Sequence, residues 1–252
     1  MSYDASQLEL EFSEYDMPSE MLLPDDQQHL FIIGMNGSGK TQAGVWHLSM
    51  RSWDQKPWVI FDFKRDQLLA DVVPAKEIPL LTVPDKPGLY VYRPDIMADN
   101  WYDQVNETLK MIWAHEDIGI YIDEGFQIRR AETLQALLMQ GRSKNIPLIV
   151  LFQRPLGIKK ELRTESQFYQ IFFLANSDDR KEIQSNMSDG AKYFLDRRIP
   201  IYHSIWYEQS TGEGRILKPV PDQAAIARTF RHRLAAMENR QMATDGRPYM
   251  VV

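Results

Sequence analysis

Hydrophobic positions gather in short continuous runs separated by amphipathic stretches. The runs His29–Gly34 (HLFIIG), Trp58–Phe63 (WVIFDF), Gly88–Tyr92 (GLYVY), Ile118–Ile122 (IGIYI), Pro147–Phe152 (PLIVLF) and Tyr169–Leu174 (YQIFFL) lack polar alternation. That pattern predicts strands covered on both faces. Between them the period becomes helical. Lys40 to about Arg51 carries Gly44, Val45 and Leu48 on one face, and Asn100–His115 carries Val105, Leu109 and Ile112. Ala131–Gln140 is a further helix, expected to end in a left-handed glycine cap at Gly141. Strands alternating with helices predict an α/β fold with a mostly parallel sheet flanked by helices. Near Pro200 the pattern changes. Ile201–Glu208 and Arg215–Lys218 flank the turn-like stretch 210–214 and predict an edge β-hairpin. Pro221 then opens a terminal helix with Ile226, Phe230 and Leu234 four residues apart. The organisation expected is an acidic extension over 1–26, one α/β domain over 27–220, and a helix with a loose tail over 221–252.

With 252 residues, 44% hydrophobic and 25% charged, the chain has the balance of a soluble globular protein. Its longest apolar run, Ile146 to Phe152, is far short of the ~18–20 residues that span a bilayer. No transmembrane segment or secretory signal is expected. The absence of cysteine excludes disulfides and thiolate metal sites and suits a reducing cytoplasm. The five histidines show no metal-ligand spacing. Net charge is −6, unevenly placed: residues 1–26 hold eight acidic residues and no Lys or Arg, leaving 27 acidic against 29 basic residues elsewhere. The remainder, at +2, is free to contact a polyanion; the acidic leader reads as a solubilising extension or a partner-binding arm.

The sharpest chemical signal is Gly34-Met35-Asn36-Gly37-Ser38-Gly39-Lys40-Thr41, which matches G-x-x-x-x-G-K-[ST] between an apolar strand and a helix. Glycines let successive N–H groups turn towards phosphate oxygens; Lys40 is placed to bridge the β- and γ-phosphates of ATP, and Thr41 to ligate Mg²⁺. A later apolar strand ends in Asp123-Glu124. Asp123 suits the Mg²⁺ shell and Glu124 suits polarising a water for in-line attack, which favours hydrolysis over transfer to an acceptor. The strand ending at Gln153 places an amide beside the γ-phosphate if it lies between the Lys40 and Asp123 strands.

The loop, the Asp-Glu strand and the strand ending Gln153-Arg154-Pro155 together resemble the FtsK–HerA group of P-loop DNA-pumping ATPases, as do Gly141-Arg142 with the small polar loop after it and Val59–Lys64. The resemblance covers about residues 29–175. As a nearly bare ATPase core, the chain is most similar to the genome-packaging ATPases of tailless, membrane-containing viruses and phages. The resemblance implies a RecA-like P-loop NTPase of the ASCE type. It also implies a homo-oligomeric ring, usually a hexamer, that drives double-stranded DNA by ATP hydrolysis in the host cytoplasm or on the virion, with a capsid-vertex or membrane protein as partner. An arginine reaching the next subunit's γ-phosphate is part of that expectation; Arg142 is the first candidate and Arg154 the second.

A backbone-tracking motor needs Lys or Arg on pore-facing loops. Candidates are Lys64/Arg65, Arg129/Arg130, Lys159/Lys160 with Arg163, and Arg228, Arg231 and His232 on the terminal helix. Trp101, Tyr102 and Trp113 lie in a helical segment and read as packing. Competing readings are a P-loop kinase of a nucleotide or small metabolite, with Arg180–Arg198 as lid, a nucleotide-gated scaffold, and a conjugation or phage-export ATPase.

Overall fold

A computed structural model describes residues 24–155, 164–188, 192, 195–197 and 199–244. Among these residues nine strands form one sheet: β1 (Leu30–Ile33), β2 (Pro57–Asp62), β3 (Lys76–Glu77), β4 (Gly88–Tyr92), β5 (Gly119–Asp123), β6 (Leu148–Phe152), β7 (Phe168–Phe172), β8 (Ser204–Glu208) and β9 (Glu213–Leu217). The order across the sheet is β3-β4-β2-β5-β6-β1-β7-β8-β9. Strands β3 to β7 run parallel, and β8 and β9 add the antiparallel hairpin expected at one edge.

The apolar runs are continuous because both faces of the sheet are covered. Phe31, Val59, Phe61, Ile120, Ile122, Val150 and Ile171 point to one side, packed with α3 (Trp101–His115), α4 (Glu132–Gln140) and α5 (Ser177–Gln184). Leu30, Ile32, Ile60, Ile149 and Leu151 point to the other, packed with α1 (Lys40–Met50), α2 (Gln67–Val72) and α6 (Gln223–Thr244). The terminal helix belongs to this second layer: Ile226 and Phe230 are fully enclosed in it. Trp101, Tyr102 and Trp113 pack against the first layer, as expected of packing residues.

Three details differ from the sequence expectation. Gly141 has a right-handed φ of −60° and continues into a short 3₁₀ turn, Gly141–Lys144; the left-handed residue is Asn145, at φ 55°. Glycine suits 141 for another reason, since a Cβ there would lie 2.8 Å from the Ile146 carbonyl oxygen. In the hairpin, residues 201–203 form a turn before β8, and Glu213 and Gly214 already belong to β9. The six-residue α2 and two-residue β3 are too short to show a period, and α5, SDDRKEIQ, carries a single large apolar residue.

At the end of the sheet where β1 begins, Arg51 is buried and donates to the carbonyl oxygens of Pro24, at 2.7 Å, and of Asp25, with its guanidinium over the Trp58 ring. Lys56 adds a bond to the Asp26 carbonyl, at 3.1 Å. The chain is thus pinned where it enters the fold.

Strands β2 and β5 approach closely at one pair, Trp58 opposite Gly119. A Cβ on Gly119 would fall 2.1 Å from the indole ring. Gly119→Ala is expected to cost about 1–3 kcal/mol by overpacking, read as a lower urea midpoint at unchanged m-value. A midpoint equal to the parent's would mean that Trp58 moves aside at no cost.

Candidate active site

In a parallel sheet the strands' C-terminal ends share one rim, and the phosphate loop lies there between β1 and α1. Gly34 donates its N–H to the Phe152 carbonyl, at 3.1 Å, which ties the loop's start to the end of β6. A Cβ on Gly34 would stand 2.6 Å from Ser38 Oγ and 2.7 Å from Phe172 Cβ. Gly37 and Gly39 hold φ of 76° and 97°, conformations costly for any other residue. Met35, Asn36 and Gly37 are exposed, whereas Lys40 is buried. No side chain caps the first turn of α1 and no acid lies in it, so its free N–H groups and the helix dipole face the loop. Burial pushes the Lys40 pKa down, with Lys64 adding to the effect and Glu124, Asp123 and Asp66 opposing it.

Strand β6 lies between β1 and β5, the arrangement that the role of Gln153 required. Asp123 ends β5 opposite Asp62 of β2. It is fully enclosed, and among the described residues neither carboxylate oxygen has a hydrogen-bond partner. Burial raises its pKa to about 6; Asp66 and Asp62 push the same way, and Lys64 and Lys40 oppose. Glu124 follows at φ 85°, ψ 64°, a left-handed non-glycine residue that turns the chain sharply off the strand. Its Oε2 accepts from Gln153 Nε2 at 2.5 Å and lies 2.6 Å from the Lys64 ammonium. Gly125 is the only residue type that fits next, since a Cβ would come within 2.5 Å of Phe152 and Val150 side-chain atoms. Lys64, Glu124, Phe126, Gln153 and Arg154 line an open cavity of about 220 Å³.

The structure therefore brings together the loop residues 34–41, Asp123, Glu124 and Gln153. It does not bring Arg142 to them. Arg142 is exposed in the turn after α4, at the opposite end of the sheet, where its charge is felt by the buried His29. Arg154 is on the rim beside Gln153, paired with Asp179 at 3.1 Å. Of the cations considered for DNA, Lys64 is committed to Glu124, and Arg129 lies over the Phe126 ring at 3.4 Å. Arg228, Arg231 and His232 are exposed on α6, and Lys159, Lys160 and Arg163 lie outside the described residues. The segment considered as a kinase lid is packed down where it is described: Ile183, Met187 and Leu195 are buried, and Arg180 bonds the Leu174 carbonyl at 2.8 Å.

Sequence reasoning missed Lys64 as a partner of Glu124, and Arg93, whose Nε lies 3.3 Å from Asp62 Oδ2. The only linear signal for Lys64 is its place two residues past β2, which matters because β2 and β5 are neighbours.

No profile of a known protein family matches the chain. Over 215 residues it is 37% identical to the DNA packaging ATPase P9 of Enterobacteria phage PRD1, covering 82% of this chain and 94% of that protein. Among solved structures it resembles the genome packaging NTPase B204 from Sulfolobus turreted icosahedral virus 2 in complex with ATP-gammaS. The TM-score is 0.62 at 15% identity, over 79% of this chain and 100% of that one. VirB4 of Thermoanaerobacter pseudethanolicus gives the same TM-score, 0.62, at 10% identity, over 82% and 95% of the two chains. At such identities the likeness is one of fold, that of an α/β P-loop NTPase.

Because the Asp123 pKa is higher in the folded protein than the ordinary 3.8, the folded state holds this proton more tightly than the unfolded chain. Its destabilising effect is full above about pH 6 and fades as pH falls towards 3.8. Ligand-free Asp123→Asn is expected to exceed the parent in stability at pH 8, by on the order of 3 kcal/mol, with the gap closing by about pH 4. Urea titrations at the two pH values check this. A variant less stable than the parent at pH 8 would mean that the carboxylate is satisfied in the folded protein.

Proposed function

Since the chain belongs to the family of viral DNA-packaging ATPases of the FtsK–HerA type, we propose that the rim around Lys40 and Asp123 is its ATP-hydrolysing centre, and that hydrolysis there moves double-stranded DNA into a capsid. One observation carries the assignment: a buried carboxylate without a hydrogen-bond partner, Asp123, beside a buried phosphate-loop lysine, with an acid–amide pair, Glu124–Gln153, next to both. A lone buried carboxylate is unfavourable unless a cation joins it.

The phosphates lie along the N–H groups of residues 35–41, with Lys40 on the β- and γ-phosphates. Base and ribose extend towards Gln42, Tyr202 and Pro219, which line a neighbouring cavity of about 250 Å³. Mg²⁺ arriving with the nucleotide would be held by the Thr41 hydroxyl and Asp123 and would offset charge on the phosphate oxygens. The donor set fits that ion: both Asp123 oxygens are buried without a hydrogen-bond partner among the described residues, and Mg²⁺ takes one or two carboxylates while keeping phosphate and water. Glu124 accepts a proton from the attacking water, and Gln153 orients the carboxylate and that water.

The working form is a homo-oligomeric ring, of six subunits in this reading, which contacts the DNA backbone through rim and surface cations. It acts in the host cytoplasm or at the virion with a capsid-vertex or membrane protein as partner. No helix among the described residues is long and apolar enough to cross a membrane. Arg142 is exposed and far from its own phosphate loop, which leaves it available to a neighbour's γ-phosphate; Arg154 is the alternative.

Lys40→Ala is expected to abolish ATP turnover. Glu124→Gln should keep nucleotide affinity while lowering kcat more than about tenfold, ~1.4 kcal/mol in barrier height. Phosphate release with labelled ATP measures both, and near-parental turnover in either variant refutes its assigned role. A second test concerns the shared site. Arg142→Ala should hydrolyse poorly, and mixing it with Lys40→Ala should restore activity, because a mixed interface pairs an intact loop with an intact arginine; such arginines are worth ~10³–10⁵ in rate. Mixtures that stay inactive while Arg154→Ala mixtures recover would transfer the role to Arg154.

A further inference from the structure

Two residues beside the phosphate loop have no part in the chemistry above. Gln42 stands in the first turn of α1, one residue past Thr41, and its Nε2 donates to the Pro221 carbonyl at 2.8 Å. Tyr202 lies in the turn before β8, left-handed at φ 63° and 54% exposed. That conformation is costly for a bulky residue, and so exposed a ring gains little burial to offset it. The ring stands instead against the loop: a Cβ on Gly39 would lie 3.2 Å from Tyr202 Cδ1 and 3.6 Å from Phe172 Cε1. Gly39, Gln42, Phe172, Tyr202, Pro219 and Val220 line the cavity of about 250 Å³ towards which base and ribose extend.

The bond to Pro221 decides what Gln42 can offer a ligand in that cavity. A carbonyl oxygen only accepts, so the amide must turn its nitrogen towards Pro221, and what remains for a ligand is the acceptor Oε1. Rotating the amide to present its N–H groups would set its oxygen against the Pro221 carbonyl, two acceptors facing each other. Pro219, on the cavity wall, has no N–H to supply in its place. The Tyr202 hydroxyl both donates and accepts, and so does not choose between ligands. Pro221 belongs to the connection that enters α6. Asp222 Oδ1 accepts the Ala225 N–H at 2.7 Å there, and Ile226 and Phe230 are buried beyond it. The carbonyl that orients Gln42 is thus held in place by the terminal helix.

Adenine carries an amino donor at its position 6, where guanine and hypoxanthine carry an acceptor oxygen. Resting on the reading of the rim as an ATP-hydrolysing centre, we propose that Gln42 is a specificity-determining residue that selects a 6-amino purine, its Oε1 accepting from the adenine amino group, and that Tyr202 is the aromatic wall against which the base packs. The Pro221 carbonyl enforces the selection by holding the amide in one orientation.

ATP and ITP separate the bases at this one edge, because they differ only at position 6 and in the adjoining N1 proton. Phosphate release gives kcat and KM for both nucleotides in the full-length parent, Gln42→Met, Tyr202→Ala, Tyr202→Phe and Lys40→Ala. The parent is expected to show a KM about tenfold lower for ATP than for ITP, the scale of one neutral hydrogen bond. Gln42→Met, of similar length but without the amide, is expected to raise the KM for ATP to that for ITP. Its turnover of ITP, which does not use the Gln42 acceptor, shows that the variant is folded. Tyr202→Ala is expected to raise both KM values by about fivefold or more with their ratio kept, the scale of one base–aromatic contact, and Tyr202→Phe to restore both. Equal KM values in the parent overturn the proposal. So does a Gln42→Met protein that keeps the parent's ratio, and a Tyr202→Ala protein with both KM values unchanged overturns the place given to the ring. Lys40→Ala tells the two readings apart: if it turns over ATP like the parent, the hydrolytic centre itself is misplaced; if it is inactive while the parent treats ATP and ITP alike, only the base selection falls.

Discussion

The chemistry at the rim depends on a sheet that is parallel through seven strands and covered on both faces. Parallel strands need crossover connections, so the polar residues that follow β1, β2, β5 and β6 emerge at one end, a strand spacing apart. Apolar layers on either side hold the strands in fixed register, and register turns residues remote in sequence into neighbours. Asp62 beside Asp123, and Gln153 within reach of Glu124, both follow from it. Glycine at 34, 119 and 125 then allows the close approaches that this layering demands.

Within that frame the charges at the rim are poorly matched in the absence of ligand. Asp123 is enclosed without a donor, Lys40 is partly stripped of water, and Lys64 works against Lys40 while pairing with Glu124. Asp62, by contrast, is served by Arg93 and the Asp66 N–H, and Glu124 by Lys64 and Gln153. Away from the rim the buried Lys56 is met by the carbonyl oxygens of Asp26 and Asn145, and Arg51 by those of Pro24 and Asp25 through Nη1, although its Nη2 has no hydrogen-bond partner among the described residues. The folded state thus carries an electrostatic cost at the rim, which the well-packed core offsets.

Much of this was legible in the sequence because the signals were local. The phosphate loop declares itself through glycines whose backbone angles and clearances exclude other residues, and the buried strands through unbroken apolar runs. The place of β6 between β1 and β5 came from the order of motifs rather than from periodicity, and the topology agrees with it. What escaped was non-local or weakly patterned. Lys64 looks like half of a surface Lys-Arg pair, and only the adjacency of β2 and β5 turns it inward. The sequence SDDRKEIQ of α5 buries little besides Ile183, so its N-cap bond, from the Asp178 N–H to Asn176, was a better sign than its hydrophobicity. The cap expected at Gly141 moved four residues on to Asn145, because 141 is crowded by a carbonyl oxygen rather than left-handed.

The anchoring of Pro24–Asp26 by Arg51 and Lys56 has a mechanical side. Helix α1 begins at the phosphate loop and runs back along the sheet for 11 residues, about 16 Å, so that Arg51 grips the incoming chain at the far end from the rim. A load applied at the rim and resisted at that anchor would act along the strands. The hydrogen bonds linking β6, β1 and β7 would then be strained side by side in shear, instead of parting one after another as in a zipper. A protein arranged in this way is stiffest along the axis on which it would have to pull.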